Sequence, residues 1–488
     1  MDPQNPFEPL AVSPPRSADD GPAASGFVVR LARAMGMDRA VGFAVLARFW
    51  QLLTGPVTQL LIVMSFTETT QGYYYAFSYL LGMQIFVELG LHVVIINVAS
   101  HEWSRLSLRN GRPQGDPTAM LRLISLGRLT FRWYLAAAVL FVAIVSVAGF
   151  FFFTDSARLK LITGTTLEQI PWLSPWLALV LLTGLQLALL PLPALLEGCD
   201  QLAVINRVRF WQNIAGTLTV WLLILCGAGL WALAGSAGIR LLGELYLVLV
   251  RYSEFFRSFR VAVPGSSLNW QQEVLPLQWR IAIQGILLWF VTGVPGLVIF
   301  RYHSEAEAGR LGMTWTILTA LQAASMAWIE TRRPQFGSLI AAGRYADLDR
   351  LFFRMTRIAM SLMTIAAAAL TLAVWWIGTR NEWLFERIAG RMLSFDATAL
   401  FALAVVLMQF ALCTNLYVRA HKRDPFLAAS IVSSVTIAFL EIRWGITHRS
   451  TGVAFGYLIG VGGVQLPLWT AIWWWTRKRW HQPGATDE

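Results

Sequence analysis

Long runs of apolar residues alternate with short polar segments from about residue 41 to about residue 476. Each run is about twenty residues or longer, the length that an α-helix needs to cross the hydrocarbon core of a bilayer. The pattern predicts an all-α integral membrane protein with about twelve spans. The predicted spans cover residues 41–66, 72–99, 130–153, 173–197, 209–231, 233–256, 280–301, 308–330, 354–378, 397–420, 426–447 and 450–476.

The composition agrees with this pattern. Of the 488 residues, 56% are hydrophobic and 14% are charged, against roughly 25% charged residues in soluble domains. The formal net charge of +11 would suggest nucleic-acid binding in a soluble protein, but here the arginines cluster between the apolar runs. We therefore expect no nucleic-acid partner. The three cysteines predict neither a disulfide framework nor a metal site.

The distribution of lysine and arginine predicts the orientation of the chain. With the N-terminus placed inside, the inner segments collect 27 of these residues, the outer segments nine and the spans three. The positive-inside rule then places the chain in the cytoplasmic membrane with both termini in the cytoplasm. Residues 1–26, which lack the apolar centre of a signal peptide, are expected to form a disordered cytoplasmic tail, and residues 477–488 a second cytoplasmic tail.

The two halves of the chain resemble each other at an offset of about 238 residues. TGPVTQLLIVMSFTETTQGYY, from Thr54, aligns with TGVPGLVIFRYHSEAEAGRLG, from Thr292. Because six spans per half is an even number, the halves should be parallel repeats about an axis along the membrane normal, with a substrate cavity between them. This predicts an N-terminal lobe over 27–256, a cytoplasmic linker over 257–279 and a C-terminal lobe over 280–476.

Several small features carry packing predictions. Pro56 and Pro295 lie inside spans at matching places in the two halves, where each removes a backbone donor and bends its helix. We interpret them as bends that let the lobes open and close; the alternative is that membrane helices tolerate proline routinely. The spacing of Gly456 and Gly460 predicts close helix packing. Ser304–Glu307, the acidic S-E-A-E, is interpreted as a loop element.

Five ionisable residues within the spans are candidate site residues. Arg48 in span 1 and Arg240 in span 6 are candidates for substrate binding, because a guanidinium fork suits a pyrophosphate. Glu88 and His92, four residues apart in span 2 and so on one helical face, and Glu244, four residues after Arg240, are candidates for coupling to protons or sodium. The alternatives are snorkelling for Arg48, a neutral hydrogen-bonded carboxyl for Glu88, and a structural ion pair between Arg240 and Glu244.

The sequence carries no motif for nucleotide-driven transport or for catalysis. GxxxxGK[ST] is absent, and the three lysines lie outside any phosphate loop. A membrane glycosyltransferase would usually carry an acidic metal motif or a large outer loop, and the longest outer loops, about 154–172 and 379–396, are short. We therefore predict that the chain is not an enzyme and has no catalytic residue, metal site or cofactor.

One segment resembles a known family. FWQLLTGPVTQLLIVMSFTETTQGYYYAFSYLLGMQIFVELGLHVVI is similar to the polysaccharide-biosynthesis flippases of the multidrug/oligosaccharidyl-lipid/polysaccharide exporter superfamily. The matching features are the acidic turn before Gly72, the aromatic residues Tyr73–Tyr75 and the Gln84–Gly90 stretch. RRPQFGSLIAAGRYADLDRLFFRM, with Pro334 and Arg344, resembles the loop that opens the second half-bundle of that family.

The resemblance implies two six-helix lobes around a central cavity that rock between inward-open and outward-open states. It also implies an isoprenoid-pyrophosphate-linked saccharide as substrate, with membrane lipids and polysaccharide-assembly enzymes as partners. The predicted function is therefore translocation of a lipid-linked oligosaccharide or polysaccharide precursor across the cytoplasmic membrane. The alternatives are a cation-coupled drug or metabolite antiporter of the same superfamily and, after it, a membrane glycosyltransferase or ligase.

Overall fold

The computed structural model describes residues 39–162, 170–260, 275–421 and 423–480. The predicted tail 1–26, residues 261–274 of the predicted linker and residues 481–488 of the predicted C-terminal tail lie outside the described residues. Inner and outer below denote the ends of the spans predicted to face the cytoplasm and the opposite side.

The first half of the chain supplies predicted spans 1 to 6. Its helices are α1 (Arg39–Ser65), α2 (Glu68–Leu81), α3 (Leu91–Trp103), α4 (Pro117–Ile162), α5 (Leu173–Leu189), α6 (Pro191–Gly198), α7 (Leu202–Leu225), α8 (Trp231–Leu245) and α9 (Ser253–Arg257). Short turns at Gly82–Gln84 and Ile85–Glu88 join α2 to α3, and a π-helical segment, Tyr246–Arg251, extends α8. An antiparallel hairpin of β1 (Leu106–Arg109) and β2 (Arg112–Gly115) connects spans 2 and 3.

The second half supplies predicted spans 7 to 12. Its helices are α10 (Leu275–Thr292), α11 (Val294–Tyr302), α12 (Glu305–Glu330), α13 (Arg333–Ala341), α14 (Tyr345–Gly378), α15 (Trp383–Ala389), α16 (Phe395–Arg419), α17 (Leu427–Gly460) and α18 (Leu466–Trp480). A π-helical segment, Val461–Gln465, joins α17 to α18. α13 and α15 are short helices between spans.

The helices account for the predicted spans. Eight of them, within the described ranges, are long and apolar enough to cross a membrane, and the bent pair Glu68–Glu88 and Leu91–Trp103 makes a ninth. One of the eight runs over 54 residues, Leu427–Trp480, and the chain reverses inside it, so that it holds spans 11 and 12. α1 and α12 occupy the positions of spans 1 and 8.

Large apolar side chains cover the outside of the bundle. Val139 is 66% exposed, Leu222 61% and Ile365 67%, and each lies on a different span. Large apolar side chains exposed on several spans in this way are stable in hydrocarbon and not in water. The chain is therefore a multi-pass membrane protein.

The sharpest break within a span lies in span 2. Leu89 and Gly90 adopt left-handed φ values of +48° and +68°, and the two parts of the span are bent by 44°. Span 7 is interrupted at Gly293, and Pro295 follows in the first turn of α11, where its missing N–H leaves no bond unmade. Pro56 lies inside α1, which continues through it as helix. That either proline serves as a moving bend stays a prediction.

Spans 11 and 12 form a tight helical hairpin. The reversal occurs at His448 and at Arg449, which has a left-handed φ of +59°. A Cβ atom on Gly456 would lie 2.8 Å from the backbone nitrogen of Glu441, and one on Gly460 would lie 3.0 Å from the Cα atom of Ile437. The backbones approach too closely for a side chain, which confirms the close packing predicted from the two glycines.

The repeat is visible at the starts of α2 and α12. Thr67 accepts a hydrogen bond from the backbone N–H of Thr70 at 3.1 Å, and Ser304 accepts one from the backbone N–H of Glu307 at 3.1 Å. Both caps satisfy an N–H group at a helix start that would otherwise lack a partner. The loop predicted at Ser304–Glu307 is therefore wrong: Ser304 is an N-cap, and the residues after it form the first turn of α12.

Candidate functional site

Spans 2 and 8 bring the two halves into direct contact at their outer ends. A Cβ atom on Gly309 would lie 2.9 Å from the backbone nitrogen of Gly72, and one on Gly72 would lie 2.5 Å from the carbonyl carbon of Glu305. Gln71, 1% exposed, donates from Nε2 to the carbonyls of Gly309 at 3.0 Å and Arg391 at 3.1 Å. The two glycines thus permit close backbone contact between spans 2 and 8, and the hydrogen bonds of the buried Gln71 amide stabilise it.

Spans 2 and 7 form a second seam between the halves. The indole Nε1 of Trp289 donates to the carbonyl of Tyr79 at 2.9 Å. The ring of Tyr79 packs on Gly296, and Trp289 packs on Gly82. Nearer the inner end, Ile281 occupies the space beside Gly90, in the break of span 2. Span 2 therefore touches the second half along its length.

Two arginines of the second half hold the outer end of α1. Arg387 donates from Nε to the carbonyl of Val63 at 2.9 Å and from Nη2 to that of Met64 at 2.7 Å. Arg391, 6% exposed, donates to the carbonyl of Phe66. Carbonyls in the last turn of a helix lack intrahelical partners, and positive charge is favourable there. α15 and the turn after it therefore cap span 1 from the opposite half.

Arg310 of α12 adds a third connection. Its Nη2 contacts Glu68 Oε2 at 2.9 Å, and its Nε donates to the carbonyl of Gly390 at 2.8 Å. We call Gln71, Arg310, Arg387 and Arg391 the outer clasp. The clasp joins two separate segments of the second half, α12 and α15 with the turn after it, to the outer ends of spans 1 and 2, so in this conformation the halves are closed on the outer side.

At the inner end the halves are joined more loosely. Arg48 of span 1 contacts Glu330 of span 8 at 3.4 Å, and their side chains are 69% and 43% exposed. Exposed pairs of this kind contribute about 0.2–1 kcal/mol. The structure thus places the predicted phosphate anchor in an interlobe ion pair at the inner end, and its role in substrate binding stays a prediction.

A cavity of about 460 Å³ lies between span 2 and the second half. This volume is within the range of small-molecule sites. Spans 2, 7, 10, 11 and 12 line it, so residues of both halves face the same space. The polar lining consists of Glu88, His92, Gln284, Thr292, Asn415, Arg419, Ser430, Ser434, Tyr457 and Gln465.

Two of the predicted ion-coupling residues, Glu88 and His92, line this cavity. They do so without sharing a helical face, because the left-handed residues Leu89 and Gly90 separate them. The Nδ1 atom of His92 is buried and has no hydrogen-bond partner in the described part of the chain. The prediction that Glu88 and His92 share one helical face is therefore wrong, although both side chains line the same cavity.

Arg419, which the sequence analysis counted only among the inner positive residues, lies at the inner end of this cavity. Arg419 Nη2 donates to Gln284 Oε1 and to Asp424 Oδ2, each at 2.9 Å. Gln284 Nε2 also contacts Asp424 Oδ2, at 3.3 Å. The charge of Arg419 is thus matched by Asp424, and neither Arg48 nor Arg240 belongs to the lining.

Arg240 and Glu244 lie apart from this cavity, on span 6. Within the described ranges they form no ion pair with each other, and Glu244 Oε2 is buried without a hydrogen-bond partner. Arg209 of span 5 donates to Glu197. The self-neutralising pair considered for these residues is absent in this conformation.

A carboxyl that the sequence analysis did not select is more deeply buried. Glu441 of span 11 is 2% exposed, and its Oε2 has no hydrogen-bond partner among the described residues. Its backbone packs against Gly456, the neighbour of Tyr457, whose side chain lines the cavity. The sequence did offer a signal, since Glu441 is a single acidic residue within an apolar run. Glu441 was not selected because it lies near the outer end of span 11.

Solved structures share this fold at low sequence identity, whereas no family model and no curated protein match the chain. A structure of the lipid II flippase MurJ in an inward closed conformation matches with a TM-score of 0.56 and 13% identity, over 88% of this chain and 87% of that one. An inward-facing multidrug resistance MATE family transporter of the MOP superfamily matches with a TM-score of 0.53 and 13% identity, over 87% of this chain and 98% of that one. The chain therefore has the fold of MOP-superfamily transporters, and neither of these two structures is that of an enzyme.

Proposed function

We propose that this protein is a flippase that moves a lipid-linked oligosaccharide or polysaccharide precursor across the cytoplasmic membrane by alternating access. The premise is the fold, which a lipid II flippase and a multidrug transporter share. The observation that carries the choice of substrate is the lining of the interlobe cavity, which is rich in amides and hydroxyls and has little net charge.

The lining suits a sugar. Saccharide hydroxyls both donate and accept hydrogen bonds, and the amides of Gln284, Asn415 and Gln465 offer both kinds of group. Tyr457 and Trp469 add aromatic faces with a polar tip. Asp424 matches the one arginine of the lining, and Glu88 is the residue to which we assign proton or cation uptake below, so the rest of the lining suits an uncharged head group.

The pyrophosphate would be held outside this lining, by Arg48 and Arg240. Arg48 is exposed at the inner end, and its contact with Glu330 is long and weakly stabilising, so a doubly anionic ligand can displace the carboxylate. Arg240 has no carboxylate within ion-pair distance in the described ranges. A guanidinium bound to phosphate through two parallel hydrogen bonds is a strong, geometrically defined contact.

The outer clasp supplies the conformational part of the proposal. Outward opening has to separate the three clasp arginines from the ends of spans 1 and 2. Inward opening has to break the exposed ion pair of Arg48 with Glu330 and the apolar packing of Ile281 beside Gly90. Hydrogen bonds to charged groups contribute about 1.5–3 kcal/mol each, less where water reaches them. Substrate or ion binding would therefore have to compensate this cost before the outer side opens.

Ion coupling is the second part of the proposal. Glu88, His92 and Glu244 remain the predicted coupling residues, and Glu441 joins them because of its burial. A carboxyl held in an apolar interior without a partner gains from taking up a proton or a cation. The two halves would then respond to ion binding through the side chains that lie nearest the interlobe cavity.

The test is transbilayer movement in proteoliposomes of a fluorescent undecaprenyl-pyrophosphate saccharide. Wild type should move it, Asn415→Leu should slow it about tenfold through one lost hydrogen bond to the sugar, and Arg48→Ala should weaken its binding. Arg443→Gln, an exposed outer arginine without an ion pair in the described ranges, is the matched control and should leave the rate unchanged.

Two results would replace the proposal. If saccharides of several lengths stay in their leaflet while cation-coupled efflux of small amphiphiles proceeds, the chain is an antiporter. If a glycosidic bond forms or breaks on the labelled lipid, the chain is a glycosyltransferase or ligase. Polysaccharide-assembly enzymes are expected partners only if the chain is a flippase for a lipid-linked saccharide.

A further inference from the structure

The hairpin between spans 2 and 3 is a rigid, arginine-rich ribbon. Asn110 and Gly111 have φ values of +52° and +75°, as a two-residue type I′ turn requires. Leu106 and Pro113 face the protein and are buried, whereas Ser107, Arg109, Arg112 and Gln114 are exposed. The ribbon therefore presents one polar face away from the helix bundle.

The strand register places two like charges opposite each other. Arg109 pairs with Arg112 across the ribbon, and like charges in that relation are destabilising. Glu254 of α9 contacts Arg112 Nη2 at 2.7 Å and Arg257 Nη1 at 2.5 Å, so one carboxylate serves two guanidiniums. Arg105 and Arg109 have no ion-pair partner in the described ranges. The fold thus maintains a surplus of positive charge on this face.

The neighbouring carboxylates are committed elsewhere. Glu102 contacts Arg122 at 2.7 Å. Asp116 accepts the backbone N–H groups of Thr118 and Ala119 at the start of α4. Beside the ribbon, Arg251 lies over the ring of Tyr252 at 5.7 Å, and the Tyr252 hydroxyl donates to Gln201, just before α7, at 2.9 Å. Arg207 of α7 and Arg251 are both exposed. The patch extends from the hairpin to the inner ends of spans 5 and 6.

The connections hold this patch at the membrane surface. Two residues separate Trp103, the end of α3, from the first strand, and one residue separates the second strand from α4. Two extended residues reach only about 7 Å, so the ribbon stays beside the inner ends of α3 and α4. An anionic group in the plane of the bilayer is therefore within reach of its charges.

We propose that Arg105 and Arg109 of the hairpin, with Arg207 and Arg251 beside it, form a binding surface for the phosphates of anionic phospholipids in the leaflet on the inner side. Arginines at a membrane surface each contribute about 1 kcal/mol to such binding, which corresponds to about a fivefold change in affinity. This surface is separate from the interlobe cavity and does not depend on the transported substrate.

The experiment measures retention of phosphatidylglycerol and of phosphatidylcholine by the purified full chain, by native mass spectrometry from neutral detergent. Wild type should retain phosphatidylglycerol preferentially, and the double variant Arg105→Gln/Arg109→Gln should bind it about 25-fold more weakly. The double variant Arg380→Gln/Arg443→Gln removes two exposed outer arginines and should bind as wild type does. The side chains changed in the test variant make no ion pair in the described ranges, so its melting temperature should be unchanged.

Equal retention of the two lipids by wild type would overturn the proposal, as would equal retention of phosphatidylglycerol by the test and control variants. If instead a soluble polyglutamate peptide binds wild type and loses affinity in the test variant, while phosphatidylglycerol does not, the surface serves an acidic protein partner. None of these results depends on transport activity, so the flippase proposal is tested independently.

Discussion

Replacing Gly72 by alanine should push spans 2 and 8 apart at their outer ends. The new Cβ atom would lie 2.5 Å from the carbonyl carbon of Glu305, and ordinary contact begins at 3.4 Å. The backbones must therefore separate by at least about 0.9 Å. Such a shift lengthens the 3.0 Å hydrogen bond from Gln71 to Gly309 beyond hydrogen-bonding distance.

The expected cost follows from the rigidity of the contact. Overpacking a close backbone contact typically costs about 1–3 kcal/mol, and 2 kcal/mol corresponds to about a thirtyfold change in a population ratio. Because the clash exists only while the outer side is closed, the cost falls on that conformation alone. We expect the closed population to decrease by about that factor relative to the outward-open one.

The assay is a distance measurement between spin labels on the outer ends of the two halves. Cys226 is exposed at the end of span 5, and Asn381→Cys supplies an exposed site before α15; Cys199 and Cys413 are buried. Gly238→Ala is the matched control, since its Cβ would meet nothing within 4 Å and it gains the same helix propensity. An identical distance distribution in both variants would refute the reasoning.

Three further predictions follow from single contacts. Arg391→Gln should lower the melting temperature and lengthen the same interlabel distance, because a buried charge-assisted hydrogen bond contributes about 1.5–3 kcal/mol; no change in either would contradict its place in the clasp. Gly456→Ala should destabilise the hairpin of spans 11 and 12 by about 1–3 kcal/mol and so lower the melting temperature. Gly463→Ala is the control and should leave the melting temperature unchanged, because its Cβ meets nothing within 4 Å. The hydrogen bond from Arg112 lowers the pKa of Glu254 from its ordinary value of 4.5. The contact between the β-hairpin and α9 should therefore be intact above pH 4.5 and be lost only as the pH falls through the lowered pKa. Hydrogen exchange of the hairpin measured against pH tests this, and loss of the contact already near neutral pH would contradict it.

Much of the fold could be predicted because it depends on local patterns. Apolar length predicts each span whatever its neighbours are. The small-residue spacing at Gly456 predicted a close helix contact. The matching caps at Thr67 and Ser304 were not predicted, since Ser304 was placed in a loop. The break in span 2 was missed because Leu89 carries no sign of a left-handed conformation, which is rare for a leucine.

The site was predicted less well, and for a definite reason. Periodicity shows which residues share a helical face, but it does not show what that face meets. Glu88 and His92 line the cavity from either side of the break in span 2. Arg419 lines it from the inner end of span 10, where it was counted only for topology. Arg48 forms an ion pair with Glu330.

The amino-acid sequence by itself therefore determined the solvent of the protein and its all-helical, multi-pass architecture, because hydrocarbon requires every spanning segment to satisfy its own backbone. The tertiary structure alone decided which charged groups meet. Arg391 reaches Phe66 from more than 300 residues away, and contacts of that kind exist only once the two halves have packed against each other.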